Sequence, residues 1–241
     1  MMSIGSMALA PLGLGPVGPA MHIPDGYMSV PVAIAGWVVT VGVVAYAARR
    51  AEREISDRAV PLMGVMAAFI FATQMMNFPV AGGTSGHLLG GALAAILLGP
   101  WAAVIVMAAV VGLQALMFQD GGLVVMGLNI ANMGILTIFA GYFVYRFLAG
   151  VIPGRVGALA ASFVAAWASV VIGSAVVAVE LALSGASPLG VALPAMIGVH
   201  ALIGVGEGLI TLAAVSFIRA TNPGLVPTPG LAPAGLNGAA R

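Results

Sequence analysis

Residues 101–118, WAAVIVMAAVVGLQALMF, decide the fold class of this chain. The stretch carries no charge, and Gln114 is its one strongly polar side chain. A transmembrane helix needs about 20 predominantly apolar residues to cross the hydrocarbon core of a bilayer. Residues 101–118 therefore predict a transmembrane helix, and the segments on either side extend this interpretation to most of the chain.

Composition supports a membrane protein throughout. Of the 241 residues, 61% are hydrophobic and 6% are charged, whereas a soluble domain carries roughly a quarter charged residues. The chain has no cysteine, which excludes disulfides and cysteine-based zinc or redox sites. We expect an integral membrane protein with one bundle domain and no attached soluble domain.

Six further apolar segments predict an all-α, polytopic membrane bundle of about seven transmembrane helices. They lie at 30–48, 61–78, 87–98, 123–147, 156–183 and 191–218. The segment 87–98 is short for a membrane crossing, so we expect it to be tilted or to begin inside the bilayer. Gly127, Gly134 and Gly141 lie seven residues apart on one helix face, a spacing that favours close packing inside the bundle.

The arginines predict the orientation of this bundle. With seven spans, all of them fall on one side of the membrane: Arg49, Arg50, Arg53, Arg58, Arg146, Arg155, Arg219 and Arg241. Arginine-rich loops face the cytoplasm under the positive-inside rule. We therefore expect the N-terminus outside and the C-terminus inside.

Both ends of the chain lie outside the predicted membrane domain, residues 21–220. Residues 1–20 contain three prolines and no charge, so they lack the positive region and the unbroken apolar core of a signal peptide. We expect them to be a removed leader or a misassigned start, with translation beginning at Met21. Residues 221–241 contain four prolines and predict a flexible cytoplasmic tail.

The sequence MHIPDG at residues 21–26 precedes the first apolar segment. If Met21 is the amino terminus of the mature chain, its amine, the amide nitrogen of His22 and the His22 imidazole can chelate one metal ion through two fused rings. A flat nitrogen site favours Ni(II) or Cu(II), and His87 is the candidate for the fourth nitrogen. The alternative is a chance Met-His dipeptide in a turn before the first helix.

Residues 77–87, NFPVAGGTSGH, form a glycine-rich connection between two predicted spans. Glycine permits irregular backbone, which survives at membrane depth only when it is buried in protein or lines a cavity. Here His87 is predicted to be a metal ligand; the alternatives are a hydrogen-bonded loop histidine or a phosphate-binding loop, although no P-loop spacing is present. The polar residues expected to support the ligands or the loop are Gln74, Asn77, Thr84 and Ser85.

Three ionisable residues fall within the last two predicted spans: Glu180, His200 and Glu207. Because an ionisable group inside a bilayer indicates function by default, a proton or metal relay is one hypothesis. Structural hydrogen bonding is the other. His200 and Glu207 are roughly 10 Å apart along the helix axis, so we do not expect them to touch.

Three further polar residues have structural interpretations. Asp120 lies in a Gln-Asp-Gly-Gly sequence and is expected to be a turn residue rather than a metal ligand. Asn129 and Asn132 share a face of the fifth predicted span and are expected to bond neighbouring helices.

Catalytic motifs are absent from the sequence. It contains no His-Glu-x-x-His zinc motif and no Gly-x-Ser-x-Gly nucleophile elbow. It also contains no Walker motif. We therefore do not expect an enzyme, and any ATP hydrolysis would come from a partner.

The chain resembles the CbiM/NikM family, the substrate-binding membrane components (S components) of energy-coupling factor transporters for cobalt and nickel. The resemblance runs in order from Met21 to about Arg219. The motifs that carry it are MHIPDG at 21–26, Gln74, NFP at 77–79, GTSGHLLG at 83–90, GPW at 99–101, Gln114, DGG at 120–122 and NIANM at 129–133.

The resemblance implies a nearly square-planar site for transported Ni²⁺ or Co²⁺, made by the Met21 amine, the His22 amide nitrogen and the imidazoles of His22 and His87. It implies no permanently bound cofactor. The implied partners are a transmembrane T component, paired ATPase subunits and a small accessory membrane protein, in the lipid of a prokaryotic plasma membrane and without nucleic acid. The family pattern begins at the residue matching Met21, so residues 1–20 depart from it.

The leading functional hypothesis is the substrate-capture subunit of an ATP-driven metal importer, in which the loop at 77–87 closes over the ion. The alternative is a stand-alone, proton-coupled metal transporter that uses Glu180, His200 and Glu207. An intramembrane enzyme and a purely structural subunit are the remaining classes. The Ile-Pro-Asp sequence at 23–25 resembles the nickel branch of the family, but it leaves nickel against cobalt open.

Overall fold

The computed structural model describes residues 22–54, 59–76, 78–79 and 85–222. Within these residues the chain forms seven helices: α1 (Val30–Glu54), α2 (Ala59–Gln74), α3 (Gly91–Leu98), α4 (Pro100–Phe118), α5 (Met126–Val151), α6 (Gly154–Leu183) and α7 (Leu189–Thr221). Two-residue strands, β1 (Phe78–Pro79) and β2 (Ser85–Gly86), pair antiparallel. Apart from this pair, the described residues agree with the all-α prediction. The predicted leader and nearly all of the predicted tail lie outside them.

Five helices are long and apolar enough to cross a membrane, namely α1, α4, α5, α6 and α7. The apolar helix α2 has 16 residues, and α3 has 8. Eight residues make about 12 Å of helix, against a hydrocarbon core of about 30 Å. The membrane bundle is confirmed, but five helices rather than seven have the length of a span.

Helix α3 begins four residues later than the predicted segment 87–98, because Gly90 adopts a left-handed conformation with φ 79°. It ends at Gly99, whose φ is 78°, and Pro100 then starts α4. Both positions favour glycine because side chains are strained at positive φ. The sequence His87–Gly90 consequently enters the bundle as irregular backbone rather than as helix.

Helix α3 lies in the core of the bundle. All of its residues are buried, and it is apolar on every side, as is typical of a fully enclosed helix. It packs against α4, α5 and α6. At the contact with α5, a Cβ added to Gly141 would lie 2.6 Å from the Cβ of Ala92. His87, just upstream of α3, is therefore held inside protein rather than in lipid.

Helix α5 changes its hydrogen-bonding pattern in its middle, where Ile130–Leu136 form a π-helix. Three of the four glycines of this helix each meet a different neighbour. The contacts are Gly127 with Trp37 of α1, Gly134 with Met107 of α4, and Gly141 with Ala92 of α3. Their predicted use in packing within the bundle is confirmed.

The two ends of the bundle differ in charge. At one end, residues 22–28 lie beside the start of α5 and the end of α6, where Ser184 Oγ is 3.4 Å from Met28 Sδ. The described arginines lie toward the other end, in the last turns of α1, in the second half of α5, in the first turn of α6 and in the last turn of α7. This separation agrees with the grouping expected from the sequence, while the direction of the bundle across the membrane stays a prediction.

Candidate metal centre

Two buried histidine rings meet at the end of the bundle that lies away from the described arginines. The ring centroids of His22 and His87 are 4.8 Å apart, and the ring planes are inclined by 32°. The residues are 4% and 5% exposed. The structure thus brings together the two imidazoles that were predicted to share a metal ion, although 64 residues separate them in the sequence.

The His22 ring has a polar neighbour at each nitrogen. Nε2 lies 3.2 Å from Oε1 of Gln114, and Nδ1 lies 3.4 Å from Oδ1 of Asp120. Burial and the adjacent His87 lower the pKa of His22 to about 4, against the opposing effects of Asp120 and Gln114. The ring is therefore neutral at pH 7. The two neighbours favour opposite tautomers, because the amide oxygen of Gln114 accepts only from a protonated Nε2 and the carboxylate of Asp120 accepts only from a protonated Nδ1.

The His87 ring has a hydrogen-bond partner at one of its two nitrogens only. Nδ1 lies 2.9 Å from the carbonyl oxygen of Leu88, which can only accept and so places the proton on Nδ1. Nε2 is buried and has no hydrogen-bond partner. Burial lowers the pKa of His87, partly offset by the Leu88 carbonyl. A neutral imidazole thus directs an unused lone pair into the protein, which is what a metal ligand requires.

The backbone beside His87 is held by two helices. Gln74 at the end of α2 donates from Nε2 to the carbonyl of Leu89 at 2.6 Å. Glu207 of α7 accepts from the backbone N–H groups of Leu89 and Gly90, each at 2.7 Å. The supporting position predicted for Gln74 agrees with this geometry. For Glu207, these contacts match the structural alternative and not a contact with another ionisable side chain.

The segment after His22 is held by α5 and the turn before it. Asn129 exchanges two hydrogen bonds with the backbone of Ile23, both at 3.0 Å. The expectation that Asn129 bonds a neighbouring helix is therefore wrong, because the N-terminal segment lies between the helices at this point. Asn132 does bond a neighbouring helix, through Glu180 of α6 at 2.6 Å.

Asp25 fixes the same segment to the start of α5. Its carboxylate accepts from the backbone N–H groups of Leu123, Val124 and Val125 at 3.0, 3.0 and 3.3 Å. These donors lie directly before the first residue of α5, where unpaired N–H groups and the positive end of the helix dipole favour a carboxylate. The residues after His22 are therefore fixed on two sides before any ion is bound.

The three candidates for a polar relay have separate partners among the described residues. Glu180 bonds Asn132, Glu207 bonds backbone amides, and His200 Nδ1 lies 2.7 Å from the carbonyl of Met196. His200 is also near enough to His87 for the two rings to interact electrostatically. A relay through all three stays a prediction.

Several predicted site residues fall outside the described part of the chain, namely Met21, Asn77 and Thr84, and Ser85 is placed in β2. Among the described residues, no group of three His, Asp or Glu side chains converges as a metal site.

The sequence did not predict that two residues, Gln114 and Asp120, contact His22. Gln114 was visible as the single polar side chain in residues 101–118, and a lone amide in an apolar span is a signal for a buried hydrogen bond. Asp120 was expected to serve its turn alone. No local pattern indicates that its carboxylate approaches a ring almost one hundred residues earlier in the chain.

Comparison with known proteins gives the family of this arrangement. Residues 22–225 match the family model of CbiM, the cobalt uptake substrate-specific transmembrane region. The chain belongs to the CbiM family. It is therefore a multi-pass membrane component of a prokaryotic transporter family for cobalt and nickel, and this family is one of transport proteins rather than enzymes.

Relatives named for nickel transport and relatives named for cobalt transport both match most of the chain. A putative fused nickel transport protein NikMN of Archaeoglobus fulgidus is 40% identical over 208 residues, covering 86% of this chain and 68% of the relative. The cobalt transport protein CbiM of Sorangium cellulosum is 35% identical over 190 residues, 74% of this chain and 80% of the relative. A crystal structure of a truncated transition metal transporter is 31% identical, with a TM-score of 0.76 over 83% of this chain and 99% of that one.

Proposed function

We propose that this chain captures Ni²⁺ or Co²⁺ for an ATP-driven energy-coupling factor importer. The ion is the transported substrate, bound near the outer face by the Met21 amine, the His22 amide nitrogen, and the imidazoles of His22 and His87. Cobalt and nickel transport by the CbiM family supports the class of cargo. The orientation follows from the arginine distribution under the positive-inside rule.

The observation that carries the proposal is the pair of buried imidazoles, whose ring centroids are 4.8 Å apart. An amide nitrogen and the ring of the same histidine close a six-membered chelate ring through Nδ1, and Nδ1 is the His22 nitrogen left with a lone pair when Gln114 accepts from Nε2. His87 is fixed the other way, by a hydrogen bond from Nδ1, which leaves Nε2 buried and unpaired. Hydrogen bonds that select the ligating nitrogen are typical of metal-binding histidines.

The held backbone of Ile23 supports the same geometry. Because Asn129 bonds both the N–H and the carbonyl of Ile23, the peptide chain leaves His22 in one direction. The α-carbon of His22 and its ring are then held in place before the ion arrives, which reduces the ordering cost of binding. Four nitrogens near one plane suit Ni(II) in particular.

Partner subunits would supply the energy and the release step. The sequence has no Walker motif, so the ATPase pair is separate, and a T component would couple it to this subunit. Relatives described as fused nickel transport proteins NikMN carry this region within a longer chain, which favours assembly with further transporter components. A small accessory membrane protein completes the proposed complex.

Alanine replacement of the histidines tests the proposal. Purified chain beginning at Met21 is titrated with Ni²⁺ and Co²⁺ by calorimetry, alongside His22→Ala, His87→Ala and the control His200→Ala. We expect the first two variants to weaken binding by more than about a hundredfold, beyond what loss of a supporting residue causes. The control removes an equally buried histidine and is expected to stay within about tenfold of the wild type.

The metal-free unfolding temperature shows whether each variant is folded. Wild-type affinity in a folded His22→Ala or His87→Ala variant would refute the proposed site. Uptake by the isolated chain in vesicles under a pH gradient, without any ATPase, would refute the proposed importer and favour the proton-coupled alternative.

A further inference from the structure

Glu207 is a buried carboxylate whose two oxygens both accept backbone hydrogen bonds. One oxygen accepts from Leu89 N–H and the other from Gly90 N–H, each at 2.7 Å. The residue is 1% exposed. Contacts of this length are typical of charge-assisted bonds, and acceptance at both oxygens fits the ionised form. A charge at this depth is expensive unless it is hydrogen-bonded, and an ionisable group inside a membrane bundle indicates a function.

The first of these contacts leads directly to His87. The N–H of Leu89 and the carbonyl of Leu88 belong to one peptide group. Its N–H donates to Glu207 at 2.7 Å, and its oxygen accepts from Nδ1–H of His87 at 2.9 Å. The peptide is thus hydrogen-bonded at both ends between a carboxylate and an imidazole.

The next peptide is arranged in the same sense. Its oxygen, on Leu89, accepts from Gln74 at 2.6 Å, and its N–H, on Gly90, donates to Glu207 at 2.7 Å. Gly90 has a φ of 79°, and a Cβ there would lie 2.8 Å from the Ile70 side chain. The two peptides are therefore confined between α2 and α7, and both point their N–H groups at one carboxylate.

Hydrogen bonds in such a chain polarise one another. A carboxylate that accepts from the Leu89 N–H polarises this peptide group. The Leu88 oxygen then carries more negative charge and is a stronger acceptor. A stronger acceptor at Nδ1–H makes the remaining nitrogen of the imidazole more basic, as a carboxylate does when it bonds a metal-binding histidine directly. Here the effect would pass through one peptide group.

We propose that Glu207 is a positioning residue for ion binding, which acts through the Leu88–Leu89 peptide to fix the tautomer of His87 and strengthen its Nε2 as a ligand. This inference rests on the proposed function, because it needs His87 to bind the ion. It assigns the buried charge of α7 to the metal centre, with no contact between Glu207 and the ion.

The substitution Glu207→Gln tests the inference, because it keeps the shape of the side chain but removes the charge and one of the two acceptors. We expect Ni²⁺ affinity to fall by about tenfold to a hundredfold, the range for residues that orient a ligand. The matched control is Glu180→Gln, which alters another carboxylate within the bundle that bonds Asn132. It should change the affinity by no more than about threefold, within the error of independent sites.

A double variant separates positioning from general structure. If Glu207 acts through His87, Glu207→Gln should have no further effect on the weak Ni²⁺ binding that remains in His87→Ala, measured by equilibrium dialysis. The ligand-field absorption of bound Ni²⁺ in Glu207→Gln should shift toward that of His87→Ala. A purely structural role would lower affinity in both backgrounds and leave the absorption of the bound ion unchanged.

The outcomes are distinct from those of the proposed function. Equal affinity in wild type and His87→Ala would remove the site itself. Wild-type affinity in Glu207→Gln, or an equal loss in both backgrounds, would overturn only the role of Glu207. If Glu207→Gln does not fold, Gln74→Met tests the same peptides by removing the donor to Leu89, and unchanged Ni²⁺ affinity in that variant would overturn the inference.

Discussion

The two histidines are supported in different ways. His22 is held by side chains of α4, α5 and the turn between them: Gln114 and Asp120 at the ring, and Asn129 at the following residue. Nδ1 of His87 bonds the carbonyl of the next residue, Leu88. The backbone of Leu89 is in turn held by hydrogen bonds from α2 and to α7. An ion between the rings would therefore join two separately anchored parts of the bundle.

The largest effect should come from the N-terminal half, which would supply three of the four nitrogens. Adding one uncleaved residue before Met21, in a chain that otherwise begins there, converts the amine into an amide and breaks the chelate. We expect Ni²⁺ affinity to fall by more than about a hundredfold, exceeding the loss of a supporting residue. Calorimetry measures this, and one residue added after Arg241 is the matched control. Normal binding with the N-terminal residue present, verified by intact mass, would show that no terminal amine is needed.

A smaller effect is expected from the support of that half. Asn129→Ala removes both hydrogen bonds to Ile23, each worth about 0.5–1.5 kcal/mol. Ni²⁺ affinity should fall by about tenfold to a hundredfold. Asn132→Ala, one turn further along α5 and bonded to Glu180, is the control and should have little effect. Equal losses in the two variants would mean that α5 as a whole, and not the hold on Ile23, sets the affinity.

The smallest expected effect is in the number of protons released on binding, which distinguishes the N-terminal nitrogens from the two imidazoles. At pH 6 the amine, with a pKa near 8, and the His22 amide each lose a proton on binding, so about two protons leave per ion. Because the pKa of His22 is lowered to about 4 and that of His87 is also lowered, neither ring should add to this number. With the ordinary value of 6.5, each ring would be about three-quarters protonated and would add that fraction.

Calorimetry in two buffers of different ionisation enthalpy counts these protons. His87→Ala should leave the number at about two. A wild-type value above three would show that the rings are charged before binding, and that burial does not hold them neutral.

The sequence predicted the helices well where an apolar run has clear ends. Residues 101–118 became a helix with one added residue, Pro100, because a Gly-Pro pair marks its start. The prediction of a helix was wrong at residues 87–90, where the apolar pattern continues although the backbone is irregular. The left-handed Gly90 and the contacts of Leu89 and Gly90 with α2 and α7 decide that conformation, and the shortest of these contacts still spans 15 positions of sequence.

The candidate site was predictable as far as its chemistry is local. Adjacent Met21 and His22 suggest a chelate by themselves, and both the glycine-rich connection at 77–87 and the family resemblance pointed to His87. The remaining contacts join residues about one hundred positions apart, as between His22 and Gln114 or between Leu89 and Glu207. Periodicity places such residues on helix faces but does not pair the faces. Asn129 was accordingly assigned to the wrong partner.

The long reach of residues 23–25 also bears on biogenesis. Ile23 bonds a residue 106 positions later, and Asp25 bonds backbone groups about as distant. Asn129 and residues 123–125 follow the first four helices in the sequence, so the contacts of Ile23 and Asp25 form only once the start of α5 has been synthesised. The amino-terminal segment can therefore complete these contacts only after about half of the chain has been made, which places assembly of the proposed metal site late in synthesis.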